Sequence, residues 1–267
     1  MQDKTFNRYR EVIQEKAGIS LSDRKRALVR GRISKRMRSL GISDYDQYLD
    51  RVEDDQTGVE LTELLDAIST NVTRFFRESD HFDFLAEKIS QWSAAGQNRF
   101  RFWSAACSTG EEPYTMGMVI SEQLGGTGCN WKILATDIST KVLKTAKNGT
   151  YAKKKMKKVT PDLLHRYFRK NQTEDGTTYT VKAPLRQKVL FRRLNLADPP
   201  YPMNGPLDVI FVRNVMIYFD NEVRSRLLNE AHRLLRPDGY LIVGHAESLT
   251  GCLGSFKPIQ PSVYVKA

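Results

Sequence analysis

The chain has 267 residues, 40% of them hydrophobic and 27% charged, which is enough apolar material for a packed core and too much for a disordered chain. No apolar run approaches the roughly 20 residues of a membrane helix. The opening "MQDKTFNRYREVIQEK" is polar and bears acids, unlike a signal peptide, so neither membrane insertion nor export is expected. Three cysteines without CxxC spacing (Cys107, Cys129, Cys252) and four scattered histidines argue against a zinc site or a disulfide framework and fit a reducing cytoplasm; a net charge of +11 implies an acidic partner.

Residues 1 to 70 read as helices only, a small N-terminal domain. Val29, Ile33, Met37 and Leu40 recur at helical spacing. In "RKRALVRGRISKRMR" (24–38), Arg24, Lys35 and Arg38 fall opposite that apolar stripe, flanked by Lys25, Arg32 and Arg36, with no acid in the run. Gly41 ends this helix, Ser43 is the expected N-cap of the next, and Leu61, Leu64, Leu65 and Ile68 form another stripe. The segment 71–95 reads as a linker helix that lids the next domain; its "NVTRFFRES" would place Arg74 and Arg77 on one side of a helical turn.

From residue 96 to 267 strands alternate with helices, the pattern of a doubly wound parallel sheet in the α/β class. "RFRFWSAA" (99–106) is a strand feeding a turn, and "EPYTMGMVISEQLG" (112–125) a helix with Pro113 near its first turn. "WKILATD" (131–137) is a buried strand ending in an acid. "STKVLKTAKNG" (139–149) is a helix between a Ser139 cap and Gly149. It opens a second acid-free run, 141–158, with eight lysines. A small antiparallel β insertion is expected at about 170–192, where "TTYTVKAPLRQKVLFRRL" breaks the rhythm. "LDVIFVRN" (207–214) and "YLIVGH" (240–245) are strands, "DNEVRSRLLNEAHRLLRPDG" (220–239) is an amphipathic helix, and "SVYVKA" (262–267) is a last edge strand.

Ligands of open α/β sheets lie at the carboxyl ends of the strands, by the switch point. The turn "ACSTGEEPY" there has one glycine and two carboxylates, Glu111 and Glu112, which would repel a phosphate. Asp137, about 25 residues on, is placed to accept from two ribose hydroxyls. A ligand with a ribose, cationic centres and no phosphate is S-adenosyl-L-methionine; a dinucleotide comes a distant second. "DPPY" (198–201) has the letters of an adenine or cytosine amino-methyltransferase motif, but it precedes the strand at whose end that motif belongs, so it reads as a turn. Arg213, Asn214 and Tyr218 stand in that place instead.

"NVTRFFRE", "FWSAACSTGEEPYT", "ATDIS", "FVRNVMIYF" and "LLRPDGYLIVGHAES" follow one another in order, and together they resemble the CheR family of chemotaxis receptor methyltransferases. The resemblance implies an all-α N-terminal domain before a class I, Rossmann-like methyltransferase sheet with an inserted antiparallel subdomain. It also implies methyl transfer from S-adenosyl-L-methionine to glutamate carboxylates on the helical cytoplasmic part of chemoreceptors, with S-adenosyl-L-homocysteine as product. Carried over by motif, the cofactor contacts are Asn71, Thr73, Arg77, Glu112 (rather than Glu111), Asp137, Asn195, Leu196, Arg213 and Asn214.

A glutamate acceptor is ionised at neutral pH and needs no general base, so catalysis reduces to alignment; Arg77 and Tyr218 are expected to orient it. Arg24, Lys35, Arg38, Arg32 and Arg36 would hold the acidic receptor surface. The inserted segment resembles the part with which some members grip a receptor tail peptide. No metal, nucleic acid or membrane is expected. The competing readings are a nucleic-acid methyltransferase and an S-adenosylmethionine-binding regulator without catalysis.

Overall fold

The computed structural model describes residues 1–174, 176–249, 251 and 254–267; Cys252 and one residue of the expected insertion, Asp175, lie outside them. The first four helices are α1 (Asp3–Ala17), α2 (Arg26–Ser39), α3 (Tyr45–Asp54) and α4 (Val59–Ile68), with a short 3-10 turn at Asp23–Lys25 before α2. Their apolar stripes meet in one cluster that includes Tyr9, Ile13, Val29, Ile33, Met37, Tyr48, Leu49 and Leu64. The cap of α3 is Asp44, not Ser43: its carboxylate accepts from the Gln47 N–H at 2.9 Å. A carboxylate one residue nearer the helix also meets the positive end of its dipole.

The segment 71–79 is not helical. Phe76 and Glu78 have φ of +53° and +55°, so the turn expected to align Arg74 with Arg77 does not form. Helix α5 (Asp80–Ala94) follows and buries Phe82, Leu85 and Ile89. The sheet domain then runs β1 (Arg99–Ala105), α6 (Glu111–Leu124), β2 (Asn130–Asp137), α7 (Thr140–Asn148), β3 (Thr150–Ala152), α8 (Pro161–Tyr167), β4 (Phe168–Thr173), β5 (Gly176–Val181), α9 (Ala183–Arg186), β6 (Val189–Arg193), β7 (Leu207–Val212), α10 (Asn221–Leu234), β8 (Leu235–Val243), β9 (Phe256–Gln260) and β10 (Val263–Lys266).

The main sheet has the order β6-β2-β1-β7-β8-β10-β9. The first five strands are mutually parallel, and β10 runs antiparallel to both its neighbours, β8 and β9. The chain winds outward in opposite directions from the β1/β7 pair, which creates a switch point at their carboxyl ends. Strand alternation divides β1 between two cores: Phe100 and Phe102 pack in one with Phe75, Phe82 and Tyr114, and Trp103 and Ala105 in the other with Ile210 and Leu227. Helix α7 is bounded as its letters indicate, with Ser139 Oγ accepting from the Val142 N–H and Gly149 in the left-handed region.

Three boundaries depart from the sequence reading. Helix α10 stops at Leu234 rather than at Pro237, because proline disfavours helical geometry at the residue before it, and Leu235 is already extended. The last strand is interior. The edge is β9, whose Pro258 hides it from a strand pattern yet is tolerated where no neighbour needs its N–H. The antiparallel sheet, order β3-β5-β4, reaches back to Thr150, whereas β6 pairs with β2 in the main sheet. Among the described residues no helix is long and apolar enough to cross a membrane. Cys107 is buried and Cys129 half-buried, both as free thiols.

Candidate functional site

The carboxyl ends of β1, β2, β6 and β7 open into one cleft, roofed by the Ala17–Val29 region and the 68–77 segment. It measures about 1240 Å³ with its open mouth, room for a ligand of nucleoside size. Every cofactor contact named from the sequence lines it, as does Tyr218. Five of the seven non-glycine residues with left-handed φ among the described residues, Phe76, Glu78, Ala106, Ser108 and Asn214, lie in the segments around it. Such conformations cost about 1–3 kcal/mol each and persist only where surroundings impose them.

The turn after β1 is shaped from beneath. Gly110 has φ of +93°, and a Cβ there would come within 2.9 Å of the Ala146 Cβ and the Tyr151 hydroxyl oxygen. This glycine therefore serves packing against α7 rather than approach to a ligand. The Cys107 and Gly110 N–H groups bond to Thr136 O and Cys107 O, and the Ser108 N–H bonds to Asp137 Oδ2 at 2.8 Å. None of these three amides is left for a pyrophosphate. The Ser108 hydroxyl donates to Asn71 O at 3.1 Å and ties the lid segment to the turn.

Asp137 stands at the end of β2, and its Oδ1 accepts from the Ser139 N–H at 2.9 Å. Burial pushes its carboxyl up to about 6 despite these amides. Each oxygen keeps a second lone pair for a ribose hydroxyl. Of the two glutamates, Glu112 lines the cleft: it accepts from Ser104 Oγ at 2.7 Å and pairs with Arg213 Nη1 at 3.0 Å. Burial raises its carboxyl too. Glu111 is fully buried on the other side, held by Lys155 and the Thr109 hydroxyl.

Arg213 is the hub of the floor. Besides Glu112, it bonds Glu78 Oε2 at 3.0 Å and the Arg77 carbonyl, over the rings of Phe82 and Phe211; its buried Nε has no hydrogen-bond partner among the described residues. Burial raises the Glu78 carboxyl, but Arg213, Asn214 and the His245 N–H outweigh it and hold the group below its ordinary value. Arg77 is half-buried, with Nε 3.7 Å from Glu78 and Nη1 donating to Val72 O at 2.9 Å. Asn195 donates to Lys16 O at 2.9 Å, bridging to α1, and Leu196 is buried beside it.

Glu247 has no role in the sequence reading, although it stands in a quoted motif. It is buried and accepts from the N–H groups of Asn214, Met216 and Gly244, each at 2.7 Å. These bonds fix the loop that carries Asn214 and Tyr218. Gly244 is required by the same loop, since a Cβ there would lie 2.4 Å from Asn214 Nδ2. Glu78 is the other omission. Two of the scattered histidines also meet, His81 and His245, with ring centroids 4.8 Å apart; burial and the Arg213 charge lower His81 to about 4, so it is neutral.

The basic helix divides. Arg36 makes a two-point pair with the buried Glu60 (2.9 and 2.7 Å), which also accepts from Tyr48. Arg32 donates to Ile68 O, Ser69 O and Thr70 Oγ1, bracing the start of the lid. Arg24, Lys35 and Arg38 are exposed. In "DPPY", Tyr201 is buried against Trp103 (centroids 5.6 Å) with its hydroxyl on Leu196 O, so it cannot stack on a nucleobase.

A cleft with one buried acid at the end of β2, another facing in, and a turn whose Cys107, Ser108 and Gly110 amides are already bonded suits S-adenosylmethionine better than a dinucleotide. Family comparison agrees. Residues 71–265 match the model described as CheR methyltransferase, SAM binding domain, and residues 4–69 match CheR methyltransferase, all-alpha domain. The chain is 40% identical over 250 residues to a chemotaxis protein methyltransferase of Escherichia coli K12, covering 94% of this chain and 86% of that one. The corresponding Salmonella typhimurium protein is 38% identical over 264 residues, covering 99% and 90%, and that of Borreliella burgdorferi 38% over 268 residues, covering 98% and 93%. The chain thus belongs to the CheR family and is an S-adenosylmethionine-dependent methyltransferase.

Proposed function

We propose that this methyltransferase esterifies glutamate side chains on the helical cytoplasmic region of chemoreceptors. The observation that carries the choice of acceptor is the lack of a base. Among the described residues no histidine lines the cleft. The two lining acids are both engaged, Asp137 by backbone amides and Glu112 by Ser104 and Arg213. Once the ribose takes the remaining lone pairs of Asp137, an amine or hydroxyl acceptor would have to lose a proton here with nothing free to take it. A carboxylate arrives already ionised.

When bound, S-adenosylmethionine supplies a methyl whose bond to sulfur breaks as the bond to the carboxylate oxygen forms; the electron pair stays on sulfur and no proton moves. Asp137 and Glu112 bind the cofactor's ribose and cationic end, with Asn71, Thr73, Arg77, Asn195, Leu196, Arg213 and Asn214 completing the contact set. Tyr218 and Arg77 orient the acceptor carboxylate at the mouth. The exposed Arg24, Lys35 and Arg38 meet the acidic receptor helix through weak, salt-sensitive contacts. Strand β4 pairs on one side only among the described residues, which leaves an edge on which a receptor tail peptide adds as a strand.

The test is methyl-labelled cofactor with a receptor cytoplasmic fragment, with RNA in parallel. Label on the protein that mild alkali releases is the expected result; alkali-stable label, or label on RNA, overturns the reading.

A further inference from the structure

Among the described residues four cations line the cleft: Lys25, Arg74, Arg77 and Arg213. Arg213 is held by Glu78 and Glu112, Arg77 lies against Glu78, and Arg74 is exposed. Lys25 differs from all three. It is half-buried, has no carboxylate partner among the described residues, and rests its Nζ 4.8 Å from the centroid of the Tyr218 ring. The adjacent acid, Asp23, is taken by Arg10 and does not neutralise it. Its place is fixed by backbone: the Ser20 N–H donates to Tyr218 O at 2.7 Å, and Ile19 bridges Phe219. The N-terminal domain is thereby stitched to the very loop that presents Tyr218.

We propose that Lys25 is a substrate-binding residue, the cation that receives the acceptor carboxylate and holds it beside Tyr218 for methyl transfer. This rests on the glutamate reading above. A cation over an aromatic face at a partly exposed site is weakly held, whereas a charge-assisted hydrogen bond to a carboxylate is stronger, so an arriving carboxylate displaces the resting contact. The choice of lysine matters chemically. An ammonium is a point donor that engages one oxygen and leaves the other with its lone pairs free to attack. An unpartnered guanidinium at the same place would clasp both oxygens in a fork and quench the nucleophile; Arg77, with Nη1 on Val72 O and Nε beside Glu78, has no such fork free.

The test compares Lys25→Met and Lys25→Arg with the wild-type enzyme on a receptor cytoplasmic fragment, at low and high salt, with cofactor affinity and thermal midpoint measured alongside. Lys25→Met should lower kcat/KM for the receptor roughly tenfold to a hundredfold, with cofactor affinity and thermal midpoint near wild type. The loss should persist at high salt, because the contact lies inside the cleft. Lys25→Arg should keep KM and lose most of kcat. A wild-type kcat/KM in Lys25→Met, a loss that vanishes at high salt, or full kcat in Lys25→Arg overturns the proposal while leaving the glutamate reading intact. Failure of the wild type itself to form an alkali-labile methyl product overturns both.

Discussion

Asp137 should make cofactor affinity depend on pH in a predictable direction. Its carboxyl sits at about 6 in the free protein because burial opposes its charge. Ribose hydroxyls donate and so favour the ionised form. Apparent affinity for S-adenosylmethionine should therefore be flat above pH 7 and fall about tenfold by pH 5 from this group alone. Glu112, also raised by burial, steepens the fall at the acid end. Asp137→Asn keeps the shape, removes the charge and turns an amide N–H toward one of the two backbone donors it now faces. Two charge-assisted bonds weakened together cost about 3 kcal/mol, on the order of a hundredfold in affinity, and the Asp137 component of the pH dependence disappears.

The stability sign runs the other way. A folded-state carboxyl raised from 3.8 to about 6 contributes stability that is complete below 3.8 and lost as pH rises through 6, about 3 kcal/mol in all. Bound cofactor recovers part of it, so the ligand-induced rise in thermal midpoint should be larger at pH 8 than at pH 5. Isothermal titration calorimetry across this range with both proteins decides the matter. Equal affinities at pH 5 and pH 8, or an Asn variant that binds like the wild type, would refute the assignment.

Tyr218→Phe should reduce turnover at saturating cofactor by more than tenfold, the scale of one oriented hydrogen bond at the reacting group, with cofactor dissociation constants little changed; a collapse of affinity with normal saturated turnover would place the hydroxyl on the cofactor. Lys35→Glu combined with Arg38→Glu should weaken receptor methylation at low salt and approach wild type at high salt, as rate measurements across ionic strength will reveal; identical rates at low salt would remove α2 from the receptor contact. Gly244→Ala should displace Asn214, given the 2.4 Å approach of a Cβ to its Nδ2, and should weaken cofactor binding by at least tenfold while the Glu112–Arg213 floor stays folded; a variant that binds normally would show that the loop yields.

Much of the site was legible because its signals are local. A strand ending in Asp137, a Ser139 cap and a Gly149 stop lie within a dozen residues and need no knowledge of the rest of the chain. The acid-bearing turn likewise pointed to a ligand without phosphate. What the letters hid is pairing at long range. Glu78 reads as one polar residue in a lid, and only the fold carries it to Arg213, 135 residues away. Glu247 has the composition of a surface loop, yet two amides of the Asn214–Met216 loop and one of its own turn converge on it. Arg36 matches its neighbours on a helical wheel, but Glu60 on α4 draws it inward, so helical position alone could not separate structural arginines from exposed ones. Pro258 concealed an edge strand, and the three residues of β3 are too few to form a pattern.

The central claim is that the acceptor is a glutamate carboxylate, and tandem mass spectrometry of a receptor cytoplasmic fragment after incubation with enzyme and S-adenosylmethionine tests it most directly. The account predicts the mass of one added methylene on glutamate side chains of the helical region, lost on mild alkaline treatment and absent when those glutamates are replaced by alanine. Methylation found on lysine or arginine, or persisting after the glutamates are removed, would contradict it.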